Sequence, residues 1–278
     1  MNEEEHFKRL NDYFTKSKFG YDFFLYGAKH FSFYPENKKI SEKEAQNLMH
    51  DLIGSKLSLN KSMIVLDAGC GQGVVSTYLA KKFGCRIEGI SMVDFEIGKA
   101  NELAKNIGVS DKANYYLMDY SNMKFKNSYF DRIYTIETLC HSADIKKTMR
   151  EFFRVLKRGG KVAFFEYNLA DDNKFTDYEL DIFDKVIYST AADSLKEFKP
   201  DRFENIIKET GFRKLEVEDI TYNIKPSLNR LRRFASIPYL FVKLFNLQKS
   251  FPNLTIAVEF YKFVERNLFE YKIFTAEK

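Results

Sequence analysis

Three carboxylates stand where apolar runs end: Asp67, Asp119 and Glu137. Glu137 is followed by Thr138, Leu139, Cys140 and His141, so an acid, a thiol and an imidazole lie just past one such run. A carboxylate beside an apolar cavity is pushed toward neutral pH and can serve as a base. The competing role for Glu137 is a helix cap or an ion pair, and His141 on its own reads as structural. The contiguous Glu/Cys/His spacing matches no usual zinc pattern, so no metal site is expected in the protein itself. Asp67 leads into Gly69-Cys70-Gly71-Gln72-Gly73. Glycines at this spacing let the backbone turn sharply and approach a ligand where a Cβ would clash.

These groups need elements to place them. The run 63–66 alternates nowhere and predicts a strand buried on both faces, while 74–83 has helical apolar spacing. The glycine loop therefore joins a strand to a helix N-terminus, a place that attracts carboxylates and phosphates. Further strands are predicted at 85–91, 114–118, 130–136 and 161–167, with helices at 94–107 and 145–156, the latter stopping at Arg158-Gly159-Gly160. A return helix at 201–210, a strand at 212–222 and a last strand at 268–275 follow. Such alternation predicts an α/β fold with a Rossmann-like, doubly wound and mostly parallel sheet. Residues 1–40 carry ten or more aromatic rings and no strand pattern, and are expected to form an aromatic N-terminal lid segment. Ser41 with Glu44 is a capping box opening a helix to about residue 53. Residues 41–278 form the main domain, with helical cap insertions at about 168–200 and 223–265 expected to cover one edge of the sheet.

Composition narrows the class. The chain has 278 residues, 45% hydrophobic and 30% charged, and a formal charge of +5, with its lysines scattered. This permits an anionic substrate and gives no reason to expect nucleic acid. There are 28 Phe and 17 Tyr but no Trp, more rings than the sheet needs, which suits either a Phe-rich core or a ring-lined cavity. Cys70, Cys85 and Cys140 show no disulfide or metal spacing, and the polar start lacks a signal peptide, so a cytoplasmic location is expected. A basic cluster, Arg230, Arg232 and Arg233, adjoins the apolar stretch 237–242. It suits a solvated helix face, a diphosphate seat or a peripheral contact with an anionic membrane.

The G-x-G-x-G spacing differs from the G-x-G-x-x-G of dinucleotide folds. With the preceding Asp67 it resembles the first motif of class I S-adenosylmethionine (SAM)-dependent methyltransferases. Four stretches, beginning at Tyr26, Leu66, Ser91 and Tyr134, line up in order with the sterol C-methyltransferase group. Prenyl-diphosphate C-methyltransferases and, further off, cyclopropane-fatty-acid synthases are its relatives. The likeness covers about residues 20–167.

The resemblance implies SAM as cofactor, bound by Asp67, Gly69, Cys70, Gly71, Gly73, Ser91, Met92, Asp119 and Tyr120. Ser91 stands where an acid usually grips the ribose, and Asp119 with Tyr120 suits the adenine amino group. It further implies that Tyr26, His30, Phe33 and Glu137 face a small hydrophobic or amphipathic substrate; Tyr34 is a further substrate-binding candidate, and Glu137, Tyr26 and His141 are the candidate catalytic residues. The usual Trp of the N-terminal motif is absent, with Ala28 near that place. The expected reaction is C-methylation of an alkene carbon in an isoprenoid-type molecule, a prenyl diphosphate or sterol-like compound, through a carbocation. Mg²⁺ would enter only with a diphosphate substrate. O- or N-methylation of a small polar metabolite, and a non-catalytic scaffold that binds a partner, are the alternatives. Homo-oligomerisation is left open.

Overall fold

A computed structural model describes residues 3–278. Among these, strands β1 (Ile64–Ala68), β2 (Arg86–Ser91), β3 (Ala113–Leu117), β4 (Phe130–Ile136), β5 (Leu156–Leu169), β6 (Arg213–Asp219) and β7 (Phe269–Glu277) form one sheet, ordered β3-β2-β1-β4-β5-β7-β6. The first five pair in parallel, while β7 lies antiparallel between β5 and β6. Four of the five β1 residues are buried, which is why its sequence shows no alternation. Parallel neighbours require crossovers, and helices supply them: α3 (Val74–Phe83), α4 (Asp94–Ile107) and α5 (Ile145–Val155). The strand order reverses between β1 and β4, which opens a crevice beyond their carboxyl ends. The expected doubly wound, mostly parallel architecture is therefore present.

Several local expectations change. The N-terminal segment is largely one helix, α1 (Glu3–Leu25), which buries His6, Leu10, Tyr13 and Ser17 at three- and four-residue intervals. Met1 and Asn2 lie outside the described residues. Helix α2 (Glu42–Lys56) does open with the expected box: Glu44 N donates to Ser41 Oγ, and Ser41 N donates to Glu44 Oε2. Such a cap contributes about 1 kcal/mol. Helix α5 ends at Val155, before the Arg-Gly-Gly signal, because Leu156 is already extended and starts β5. The glycines instead sit in a register shift opposite Phe130 and Arg132, with Gly159 at φ +73°.

The insertion at 168–200 contains α6 (Asp177–Thr190), and α7 (Arg202–Thr210) is the return helix. The second insertion begins earlier than expected, as α8 (Thr221–Leu244), and continues through short helical turns over 252–265. Val186 and Thr190 of α6 and Leu228 and Leu231 of α8 line a cavity whose other walls include Asp67 and Glu137, over the carboxyl ends of the central strands.

Candidate active site

The cavity has a volume of about 390 Å³. Its floor is the ends of β1, β2 and β4, and α1 forms much of its roof with Phe7, Tyr13, Phe14, Tyr21 and Phe24. Four carboxyl residues, Asp67, Glu96, Asp119 and Glu137, line it, against Lys29 as the only Lys or Arg in the described wall.

At one end lies the glycine loop. Gly69 N and Cys70 N both donate to Ile90 O at 2.9 Å, which pins the loop to β2. Gly69 has φ +91°, and a Cβ there would overlap the Thr138 side chain. Gly73, at φ +76°, would press a Cβ into Tyr115 and Ala100. Asp67 is buried, and its Oδ2 has no partner among the described residues. Burial pushes its carboxyl up to about 7. An orphaned buried acceptor beside glycines that must stay bare suits a cationic, hydrogen-bonding ligand such as the methionine end of SAM.

Ser91, at the end of β2, is backed by an acid the sequence reading did not single out. Its hydroxyl donates to Glu96 Oε2 at 2.6 Å, and Lys29 pairs with Glu96 Oε1. A helical residue thus returns a carboxylate to the place where Ser91 lacks one. Met92, Asp119 and Tyr120 also line the cavity. Asp119 accepts from Ser121 N at 2.7 Å and Ser121 Oγ at 2.6 Å, so it also shapes its own turn. The Tyr120 hydroxyl donates to Thr138 O at 3.0 Å. Gly69, Cys70 and Gly71 are in the wall; Gly73 stands just behind it as the N-cap of α3.

Glu137 occupies the other end. It follows β4 in a left-handed conformation, φ +51°, which turns the chain where the strand stops. Phe31 N donates to its Oε1 at 2.6 Å, the Tyr271 hydroxyl to Oε1 at 3.0 Å and the Tyr167 hydroxyl to Oε2 at 2.6 Å. Burial raises its carboxyl, the three donors pull it back, and it settles at about 7. Glu166 on β5 braces this corner: its Oε1 accepts from Thr138 N at 3.0 Å and Leu139 N at 2.8 Å. Burial pushes Glu166 to about 8.

The remaining expected residues divide. His141 is in the wall, its ring edge-on to Phe14 at 5.3 Å, and its Nδ1 has no partner among the described residues. Burial lowers it to about 4, so it is a neutral imidazole at physiological pH. His30 is also in the wall, but both its nitrogens are engaged: Nδ1 with Phe31 O at 2.8 Å, Nε2 with His50 Nε2 at 3.1 Å. That network assigns the Nδ1 proton to His30 and the Nε2 proton to His50. Tyr26, Phe33 and Tyr34 are not in the cavity wall. Tyr26 is 52% exposed at φ +52°, because the turn into Gly27 directs it outward. Phe33 packs against the core, and the Tyr34 hydroxyl donates to Glu42 Oε2 at 2.8 Å. Five of the rings that do face the cavity, Phe7, Tyr13, Phe14, Tyr21 and Phe24, come from α1. Arg230, Arg232 and Arg233 are likewise absent from the wall; Arg230 donates to Phe24 O, and Arg232 lies over the Tyr261 ring.

Residues 66–164 match the family model described as a methyltransferase domain. That stretch contains the glycine loop, Ser91, Asp119 and Glu137. The matched stretch is thus similar to a methyltransferase domain. The chain is 28% identical over 230 residues to a sterol 24-C-methyltransferase of Saccharomyces cerevisiae, covering 78% of this chain and 57% of that protein. It therefore spans little more than half the length of that relative. It is 27% identical over 247 residues to the SAM-dependent Diels-Alderase iccD of Talaromyces variabilis, covering 86% of this chain and 84% of that one. Among solved structures, geranyl diphosphate C-methyltransferase from Streptomyces coelicolor A3(2), in complex with Mg²⁺, geranyl diphosphate and S-adenosyl-L-homocysteine, superposes with a TM-score of 0.71 at 15% identity. That match covers 90% of this chain and 91% of the other, and it shows the shared fold.

The folded chain has a built-in pH response. Asp67, Glu137 and Glu166 keep their protons in the folded ligand-free protein up to about 7, 7 and 8, whereas the unfolded chain loses them near 4. Folding thus takes up protons between these limits, and stability falls as pH rises. His30, His50 and His141 are lowered by burial and act in the opposite sense, but only below about 6.5. Thermal melts of the ligand-free protein should show Tm falling from pH 6.5 to 8, with a shallower slope in Glu166→Gln. A flat or rising Tm in wild type would contradict the protonated state of these three groups.

Proposed function

We propose that this protein C-methylates an alkene carbon of a neutral, isoprenoid-type small molecule, with Glu137 as the base. The observation that carries this reading is Glu137 itself, poised near neutrality at the end of an apolar, ring-walled cavity. When bound, SAM supplies a sulfonium-activated methyl group, whose transfer to an alkene leaves a carbocation on the substrate. Asp67 and the backbone of Gly69 to Gly71 would hold the methionine end, Ser91 and Glu96 the ribose, and Asp119 with Tyr120 the adenine.

The ring faces of α1 suit a transient cation. Lys29 Nζ already rests 4.2 Å from the Phe14 centroid and 5.1 Å from that of Tyr21, so this wall accommodates positive charge. Glu137 has two carboxylate oxygens and three donors, which leaves acceptor capacity for a proton. It would take that proton from the carbon next to the cation, and the released C–H pair would restore a double bond. The roof formed by α1 keeps water from competing.

Charge argues for a neutral substrate over a diphosphate. The single lysine of the described wall is already paired with Glu96, so a diphosphate there would find no unpaired cation to hold it. A diphosphate substrate would need to bring Mg²⁺ with it. Among the described residues no cluster of three His, Cys, Asp or Glu forms a metal site. Three buried free thiols fit a reducing, cytoplasmic setting.

A second reading rests on the matched length of the Diels-Alderase relative: the same cavity would fold a polyene for cyclisation. Incubation with methyl-labelled SAM tests both. Neutral isoprenoid alkenes, prenyl diphosphates, and phenols with amines form three separate panels. Label in a neutral alkene product supports the proposal. Label confined to the phenol and amine panel overturns it in favour of O- or N-methylation. A cyclised polyene without label supports the second reading.

A further inference from the structure

We propose that α8, together with the outward rings of α1, docks the protein on an anionic lipid bilayer. Helix α8 buries one face, through Leu228, Ala235, Tyr239 and Val242. Its other face is apolar as well, with Ile237 at 72% exposed, Leu244 at 75% and Leu240 and Phe241 beside them. A helical stretch apolar on both faces, as 234–244 is apart from Ser236 and Lys243, belongs in a core, yet its outer face is uncovered. Eight of the seventeen exposed large apolar residues in the described structure lie between positions 234 and 251. Phe19 and Phe23 of α1 extend the patch: they stack at 5.9 Å, Phe23 meets Phe24 at 5.0 Å, and Phe24 meets Phe234 at 5.4 Å. A continuous surface of this kind marks an interaction site.

Charge identifies the occupant. Residues 221–258 contain six Lys or Arg and no Asp or Glu, whereas the rest of the chain holds 38 basic and 39 acidic residues. Arg232, Arg233, Lys243 and Lys249 form no ion pair with a carboxylate among the described residues. Protruding Phe, Leu and Ile flanked by cations that no described carboxylate neutralises match a bilayer interface, where rings and aliphatic chains enter the acyl boundary and cations meet anionic headgroups. A second copy fits less well, since a two-fold contact would set one basic row against the other. No described helix is long and apolar enough to cross a membrane, so α8 would lie on the surface. Phe234 and Pro238 are exposed yet also line the cavity, so the patch surrounds its mouth.

Vesicle flotation with the full chain tests the proposal, comparing phosphatidylcholine alone with phosphatidylcholine mixed with phosphatidylglycerol. Binding should be at least about tenfold stronger to the anionic vesicles and should weaken in high salt. The double variant Ile237→Glu with Leu244→Glu touches neither the cavity wall nor the core. It should keep SAM binding and lose flotation, while Arg233→Glu with Lys243→Glu should lose the preference for anionic lipid. Absence of flotation with either lipid overturns the proposal. So does a wild-type dimer in lipid-free buffer that the Ile237/Leu244 variant converts to monomer, because a second copy would then cover the face.

Discussion

Replacing Glu137 by Gln lowers kcat by about 10²- to 10⁴-fold while leaving SAM affinity unchanged. The substitution is close to isosteric. Phe31 N can still donate to the retained amide oxygen, and the Tyr167 hydroxyl can rotate to accept from the new NH₂ group. The corner therefore stays in place and only the base is lost. The pH profile gives a second readout. A base at about 7 makes kcat/KM of the wild type rise with pH through that value, and the Gln variant should lose this rise. Wild-type turnover in Glu137→Gln would remove the base assignment. A loss of SAM binding would show instead that Glu137 mainly supports the fold.

Gly69→Ala should weaken SAM binding by about 10- to 100-fold, the equivalent of 1–3 kcal/mol of backbone strain. Two costs coincide at this position. Its φ of +91° is a conformation that L-residues avoid, and its Cβ would collide with Thr138, the residue after Glu137. The loop cannot move away freely, because Gly69 N and Cys70 N are fixed on Ile90 O. The collision therefore drives the two ends of the site apart. Gly71→Ala is the matched control: φ is +50° and the one described atom near its Cβ is Lys29 Cδ at 3.9 Å, an ordinary contact, so its effect should be several-fold smaller. Calorimetric titration of SAM into both variants checks the ordering. Equal affinity in Gly69→Ala and wild type would contradict the close packing of the two loops.

The carboxyl ends of β1, β2 and β4 were legible because they depend on local rules. A buried parallel strand must be continuously apolar, and a strand-to-helix turn near a ligand requires glycine, so residues 63–91 announce themselves. The end of β4 did so too, placing Glu137 at the site. Helix α1 was harder to read. Its buried face mixes His6, Leu10, Tyr13 and Ser17, so a pattern based on apolar residues alone is blurred. Tyr26 was assigned to the cavity from its place in a motif, but the side chain follows the local turn, and that turn faces outward.

What the sequence determined by itself was the sheet, the cofactor loop and the acids at the strand ends, since each follows from the period and residue types of a short stretch. Only the tertiary structure decided which distant groups meet those acids. Glu96 reaches back to Ser91 from the next helix, and Phe31, Tyr167 and Tyr271 converge on Glu137 from three separate parts of the chain. It also decided that one face of α8 stays uncovered. Burial, and with it the elevated pKa of Glu137, arises from how many elements close around a group, and spacing along the chain does not encode that number.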